Sequence, residues 1–83
     1  MNINEMKAYL QEHGVEDGSF YTHGGLGGGE IDGIEEIDGQ WFTYFSERGS
    51  KNDYKAWDSE EEATKFIADQ AEKFARDLGY WKE

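Results

Sequence analysis

The chain has no cysteine, which excludes a disulfide framework, a thiolate metal site and a cysteine nucleophile. A domain this small without staples fits a reducing compartment better than the cell exterior. Positive charge is scarce: eight Lys and Arg stand against nineteen Asp and Glu, and none falls between Lys7 and Arg48. Hydrophobic residues make up only 36% of the chain, and no run approaches the ~18 consecutive apolar residues that a membrane span needs. The opening Met1-Asn2-Ile3-Asn4-Glu5-Met6 has no basic stretch leading into an apolar one, so no secretory leader is legible. These absences give the expectation of a cytoplasmic protein with no membrane contact.

Aromatic side chains compensate for the thin hydrophobic content. Three Trp, five Tyr and five Phe lie within 83 residues, and each can bury a large area from a single position. Together with the periodic segments below they argue against disorder. The length is that of one domain, residues 1–83, compact and thin.

The net charge is −11, and it is unevenly placed. Residues 1–40 hold nine acids and one base, whereas residues 41–83 hold ten acids and seven bases. Such a surface repels nucleic-acid phosphates and anionic lipid and attracts basic proteins. Solubility alone needs less charge than this.

The pattern predicts a first helix from about Asn4 to His13, with Asn2 and Glu5 spaced as a capping box and Gly14 as its stop. Ser19–Thr22 reads as a short strand. The run from Gly24 to Gly29, five glycines in six positions, is the candidate mobile loop. Glu30–Ile37 and Gln40–Glu47 read as a β-hairpin around Asp38-Gly39. Residues 47–52 read as a turn and Asp53–Trp57 as another strand. Asp58 is the expected cap of a second helix whose apolar stripe is Ala63, Phe66, Ile67, Ala71, Phe74, Ala75 and Leu78. Tyr80-Trp81 is expected to fold back on the sheet edge. The fold class is therefore α+β: a small antiparallel sheet of three or four strands with an N-terminal and a longer C-terminal helix on one face.

No catalytic constellation is legible. The glycine run lacks the G-x-G-x-x-G register and any Gly-Lys-Ser/Thr, and its acidic neighbours would repel phosphate. His13 and His23 have no third ligand at zinc spacing. Asp32, Glu35, Glu36 and Asp38 do not follow a calcium-loop pattern. No serine stands in a nucleophile-elbow context. The expectation is a non-enzyme with neither cofactor nor metal.

A surface remains. The strand Trp41-Phe42-Thr43-Tyr44-Phe45 is aromatic on both faces, and one layer of helices covers one face only. Either Phe42 and Tyr44 or Trp41 and Phe45 are left to meet something else. Aromatic anchors beside carboxylates suit a basic partner. The candidate partner-binding residues are Asp32, Glu35, Glu36, Asp38, Trp41, Phe42, Tyr44 and Glu47.

Two blocks carry a family resemblance: Trp41-Phe42-Thr43-Tyr44-Phe45-Ser46-Glu47-Arg48-Gly49, and Tyr54-Lys55-Ala56-Trp57-Asp58-Ser59-Glu60-Glu61-Glu62-Ala63. An aromatic strand ending in Glu-Arg-Gly, then an aromatic before Asp/Ser-Glu-Glu-Glu-Ala at a helix start, resembles small immunity proteins of bacterial polymorphic-toxin and contact-dependent inhibition systems. The resemblance covers roughly residues 41–78. It implies a protein that binds a cognate toxin domain, basic and of the nuclease kind, and neutralises it, with no direct contact to nucleic acid. Within the motif, Arg48 is expected to make a structural pairing with Glu47 at the strand end. Two other readings fit the same residues: a DNA mimic that inhibits a DNA-binding protein, and a homodimeric adaptor module.

Overall fold

The computed structural model describes residues 1–26 and 29–83. Six elements follow in order: α1 (Ile3–Glu12), β1 (Tyr21–His23), β2 (Ile31–Ile37), β3 (Gln40–Glu47), β4 (Ser50–Trp57) and α2 (Glu60–Asp77). The strands form one sheet in sequence order, β1-β2-β3-β4. α2 packs on β2, β3 and β4, and α1 lies against α2. The molecule measures 35 × 29 × 15 Å, so it is one sheet and one helix layer thick. This is the expected α+β architecture.

Helix α1 starts at its capping box. Asn2 Oδ1 accepts from the Glu5 N–H at 2.8 Å, and Glu5 Oε1 accepts from the Asn2 N–H at 2.8 Å. The helix buries Met6 and Leu10 and stops before Gly14, whose φ of +85° is the left-handed stop. α2 is capped by Ser59 and not by Asp58: Ser59 Oγ accepts from the Glu62 N–H at 3.1 Å. A cap one residue later leaves Trp57 free to pair with Trp41 in the sheet, with Asp58 as the link between strand and helix. α2 meets the sheet mostly through small side chains, burying Ala63, Thr64, Ile67, Ala68, Ala71 and Ala75. Glu60 then ties the two helix starts together, accepting from the Ile3 N–H at 2.7 Å.

Four further findings differ from the sequence reading. First, β1 runs parallel to β2, whereas β2–β3 and β3–β4 are antiparallel. A parallel neighbour ordinarily needs a crossover of a dozen or more residues. Here β1 is three residues long, so the chain retraces only ~10 Å, and the short glycine-rich connection reaches. Second, β4 begins at Ser50 because the turn is only Arg48-Gly49, with φ of +51° and +77°. Asp38-Gly39 has the same pair of positive angles, +52° and +82°, the geometry that matches the strand twist in a two-residue hairpin. Arg48 is exposed at this turn and makes no ion pair among the described residues. Third, the tail divides: Tyr80 lies against Phe20, just before the edge strand β1, with ring centroids 5.7 Å apart, whereas Trp81 folds onto α1. The Trp81 ring stacks on His13 with centroids 4.3 Å apart, and the Lys82 N–H donates to the His13 carbonyl at 2.9 Å. Fourth, Phe74 and Leu78 are 39% and 54% exposed.

The expected mobility of the glycine run falls in part on Gly27 and Gly28, which lie outside the described residues. Gly24 and Gly25 are held: the Gly24 N–H donates to the Ile34 carbonyl at 2.8 Å, and both carbonyls accept from side chains of the sheet.

The core lies between the helices and one face of the sheet. It comprises Met6, Leu10, Val15, Tyr21, Ile34 and the α2 residues Ala63, Ile67, Ala68, Ala71 and Ala75.

Candidate interaction face

Strand pairing decides which side chains share a face. Ile34 is in the core and pairs with Thr43, so Asp32, Glu36, Trp41 and Phe45 point toward the helices with it. The intervening residues Gly33, Glu35 and Ile37 of β2 and Phe42, Tyr44 and Ser46 of β3 form the outer face. In β4, Ala56 pairs with Phe42 and alternation sends Tyr54 outward with it, and a bulge opposite Thr43–Phe45 shifts the phase so that Lys51, paired with Ser46, faces outward too.

Tyr44 is the centre of this face. Its ring lies across Gly33, where a Cβ would stand 2.1 Å from Tyr44 Cζ. Only glycine allows that approach. The Tyr44 hydroxyl donates to the Gly25 carbonyl at 2.6 Å, and the side chain is 2% exposed. Burial pushes its phenol well above the usual range, and the nearby Glu35 charge adds to the effect. The ring of Tyr54 lies 5.5 Å from that of Tyr44, and Phe42 meets Tyr54 edge-on at 6.0 Å. Tyr54 and Ile37 are the open part of the face, 46% and 44% exposed.

One carboxylate is fixed among these rings. Glu35 Oε1 accepts from Lys51 Nζ at 2.8 Å, and Glu35 Oε2 accepts from the Tyr54 hydroxyl at 2.7 Å. Lys51 Nζ also donates to the Gly24 carbonyl at 3.0 Å and stands 5.0 Å over the Tyr44 ring. Burial by itself would raise the Glu35 carboxyl, but the bonds from Lys51 and Tyr54 outweigh it and hold it below the usual carboxylate range. The side chains of Glu35 and Lys51 are 15% and 27% exposed, less than those of the other ion pairs. Exposed pairs contribute little to stability, so this one is the pair that can order a surface.

The eight residues singled out from the sequence are therefore divided. Glu35, Phe42 and Tyr44 converge on the outer face. Trp41 packs against the core on the helix side, beside Trp57, whose Nε1 donates to Thr43 Oγ1 at 2.8 Å. Asp32 also points to the helix side, half-buried and without a partner among the described residues; burial raises its carboxyl. Glu36 and Asp38 are exposed at the β2–β3 turn, and Glu47 lies at the other end of β3, paired with Ser50. Because Trp57 pairs with Trp41, Asp58 and the first turn of α2 lie at the same end of the sheet as Glu36 and Asp38. That end thus gathers Glu36, Asp38, Asp58, Glu61 and Glu62, all exposed.

Sequence reasoning missed Tyr54, Lys51 and Ile37. The alternation of Tyr54 and Ala56 against Lys55 and Trp57 was the available signal, since a core Trp57 turns Tyr54 outward.

Among the described residues, no group of three or more His, Asp or Glu converges to hold a metal ion. His13 and His23 lie apart, at the end of α1 and in β1. Also among the described residues, no helix is long and apolar enough to cross a membrane. What fold and face define is an α+β domain with one sheet face packed by helices and one aromatic face left free of them. No family model, curated protein or solved structure matches the chain.

Proposed function

We propose that the chain is an inhibitor of the immunity-protein kind, which takes a basic partner, a cognate toxin domain, on the outer face of its sheet. One observation carries this reading: the aromatic face opposite the helices has Tyr54 and Ile37 uncovered around a carboxylate already fixed in place. An interface with aromatic anchors and a preset acid needs little ordering when a basic surface arrives. The acids at the β2–β3 turn end lie beside that face and draw the partner in. Their grouping at one end supports a local contact over a mimic of duplex phosphates, which needs acids spaced along an extended surface.

The test is co-expression with a toxin domain encoded next to this chain. Growth should be restored by the native chain and lost with Phe42→Ala combined with Tyr54→Ala, the variant keeping its native melting behaviour. Protection that survives this change, or a neighbouring product that does not bind the chain at all, would overturn the reading.

A further inference from the structure

A cleft opens on the helix side of the sheet, away from the aromatic outer face. α2 is the helix that packs on β2, β3 and β4. A helix is about 10 Å across and strands stand about 4.8 Å apart, so one helix covers about two strands. Beside α2 the sheet is left with a cavity of about 280 Å³. Asp32 of β2, Phe45 of β3, Lys55 of β4 and Phe66 of α2 line it, together with Thr43 and Asp53. The volume suits one side chain, since sites for drug-sized ligands run to roughly 300–1,000 Å³.

Asp32 is the group in this cleft that its own chain leaves unserved. Its side chain is half-buried and has no hydrogen bond or ion pair among the described residues. Thr43 Oγ1 already accepts from Trp57 Nε1 at 2.8 Å, and Lys55 Nζ stands 4.2 Å from the centre of the Trp57 ring. The lysine of the cleft is thus drawn toward Trp57, and burial alone acts on the Asp32 carboxyl, raising it. A charge kept half-buried without a partner costs stability at neutral pH. A carboxylate held at that cost inside a cleft is a group that a ligand completes. Asp53 and Lys55 offset each other in formal charge, so Asp32 sets the sign of the site. The walls select among cations. Phe45 and Phe66 are both partly buried and give the cleft aromatic sides. A guanidinium is planar and weakly hydrated, stacks on aromatic rings and meets a carboxylate through two parallel bonds, whereas an ammonium is compact and strongly hydrated.

We propose that this cleft binds a guanidinium group carried on an alkyl stem, with the guanidinium on the Asp32 carboxylate and the stem between Phe45 and Phe66. The same chemistry comes from a free alkylguanidine or from an arginine side chain of a protein. The site lies on the opposite side of the sheet from the aromatic outer face, so it does not rest on the inhibitor reading and stands or falls separately from it.

Titration of the isotope-labelled protein with n-butylguanidinium at about 150 mM salt, followed by amide chemical shifts in NMR, tests this. The amides of Asp32, Phe45 and Phe66 should shift together and saturate with a Kd of about 1 mM, the strength a single small contact allows. n-Butylurea, which has nearly the same shape without the charge, should give no saturable shift. n-Butylammonium should bind about threefold or more weakly than the guanidinium. Asp32→Asn should weaken n-butylguanidinium about fivefold or more in a protein that stays folded. Lys55→Gln should leave binding unchanged or tighten it, because it removes a like charge from the cleft. Phe42→Ala combined with Tyr54→Ala should leave it unchanged, which separates this site from the partner face. N-acetyl-arginine amide resolves the source: tighter binding than n-butylguanidinium assigns the cleft to a protein's arginine, and equal or weaker binding assigns it to a free alkylguanidine. Shifts confined to the acidic turn end, an unchanged Kd in Asp32→Asn, or equal binding of the urea or the ammonium would each overturn the proposal.

Discussion

Asp32 and Glu35 stand three residues apart in β2, on opposite faces of the sheet, and their surroundings push their carboxyls in opposite directions. Burial raises Asp32, so its contribution to stability is present below the ordinary carboxylate pKa and lost as pH rises through the raised value. At neutral pH its charge is a net cost. Asp32→Asn should therefore raise the melting temperature at pH 7, with the gain shrinking toward nothing near pH 3. Glu35 is held low by Lys51 and Tyr54 against the effect of burial. Its contribution is present above the ordinary value and lost as pH falls through the lowered one. Glu35→Gln should lower the melting temperature at pH 7, and that deficit should fade with acid. Paired thermal melts at the two pH values check both signs, and a shared sign would contradict the opposite directions in which burial and the Lys51 and Tyr54 bonds push the two carboxyls. Between them, Gly33→Ala would drive a Cβ into the Tyr44 ring. The expected cost is about 1–3 kcal/mol in chemical denaturation, because the ring must leave its place over the sheet.

At the scale of elements, what the sequence made legible depended on whether the signal was local. The β2–β3 hairpin was readable because Asp38-Gly39 is a common left-handed pair, and β3 spans Gln40–Glu47 as expected. Arg48-Gly49 makes the same turn, and residues 47–52 read as a turn, but its two-residue tightness was not legible, since arginine has no preference for a φ of +51°. Arg48→Asn should stabilise the protein by about 0.5–1 kcal/mol in urea denaturation, since asparagine adopts that angle more readily. Helix α2 was readable from its apolar stripe, but periodicity cannot say where the sheet beneath it ends. Its small residues are buried, whereas Phe74 and Leu78 stand at the end nearest the three-residue β1 and stay open. The parallel course of β1 was not legible at all, because the pairing of so short a segment is decided by tertiary contacts. For the interaction face, Trp41-Phe42-Thr43-Tyr44-Phe45 announced aromatics on both sides of a strand but left open which pair faced out. Ile34 opposite Thr43 decides it, sending Phe42 and Tyr44 outward and Trp41 into the helix side.

The whole molecule separates the two effects that a binding surface combines. The acids at the turn end are exposed and solvated, so they act at a distance and are screened by salt. The rings of Phe42 and Tyr54, backed by the buried Tyr44, act only on contact, and are indifferent to salt. If a basic partner docks on this face, the two sets of residues must govern different rate constants. Glu36→Lys with Asp38→Lys should slow association by about tenfold at low salt, with the difference collapsing as salt rises past physiological strength. Phe42→Ala and Tyr54→Ala should leave association nearly unchanged and speed dissociation by tenfold or more at every salt concentration, as truncation of a central aromatic anchor does. Surface plasmon resonance across a salt series reads both constants in one experiment. Charge reversal that acts on dissociation alone would mean that the turn acids sit inside the interface. Ring truncation that acts on neither constant would move the contact off this face, since no other change at Tyr54 or Phe42 could leave a partner seated there unaffected.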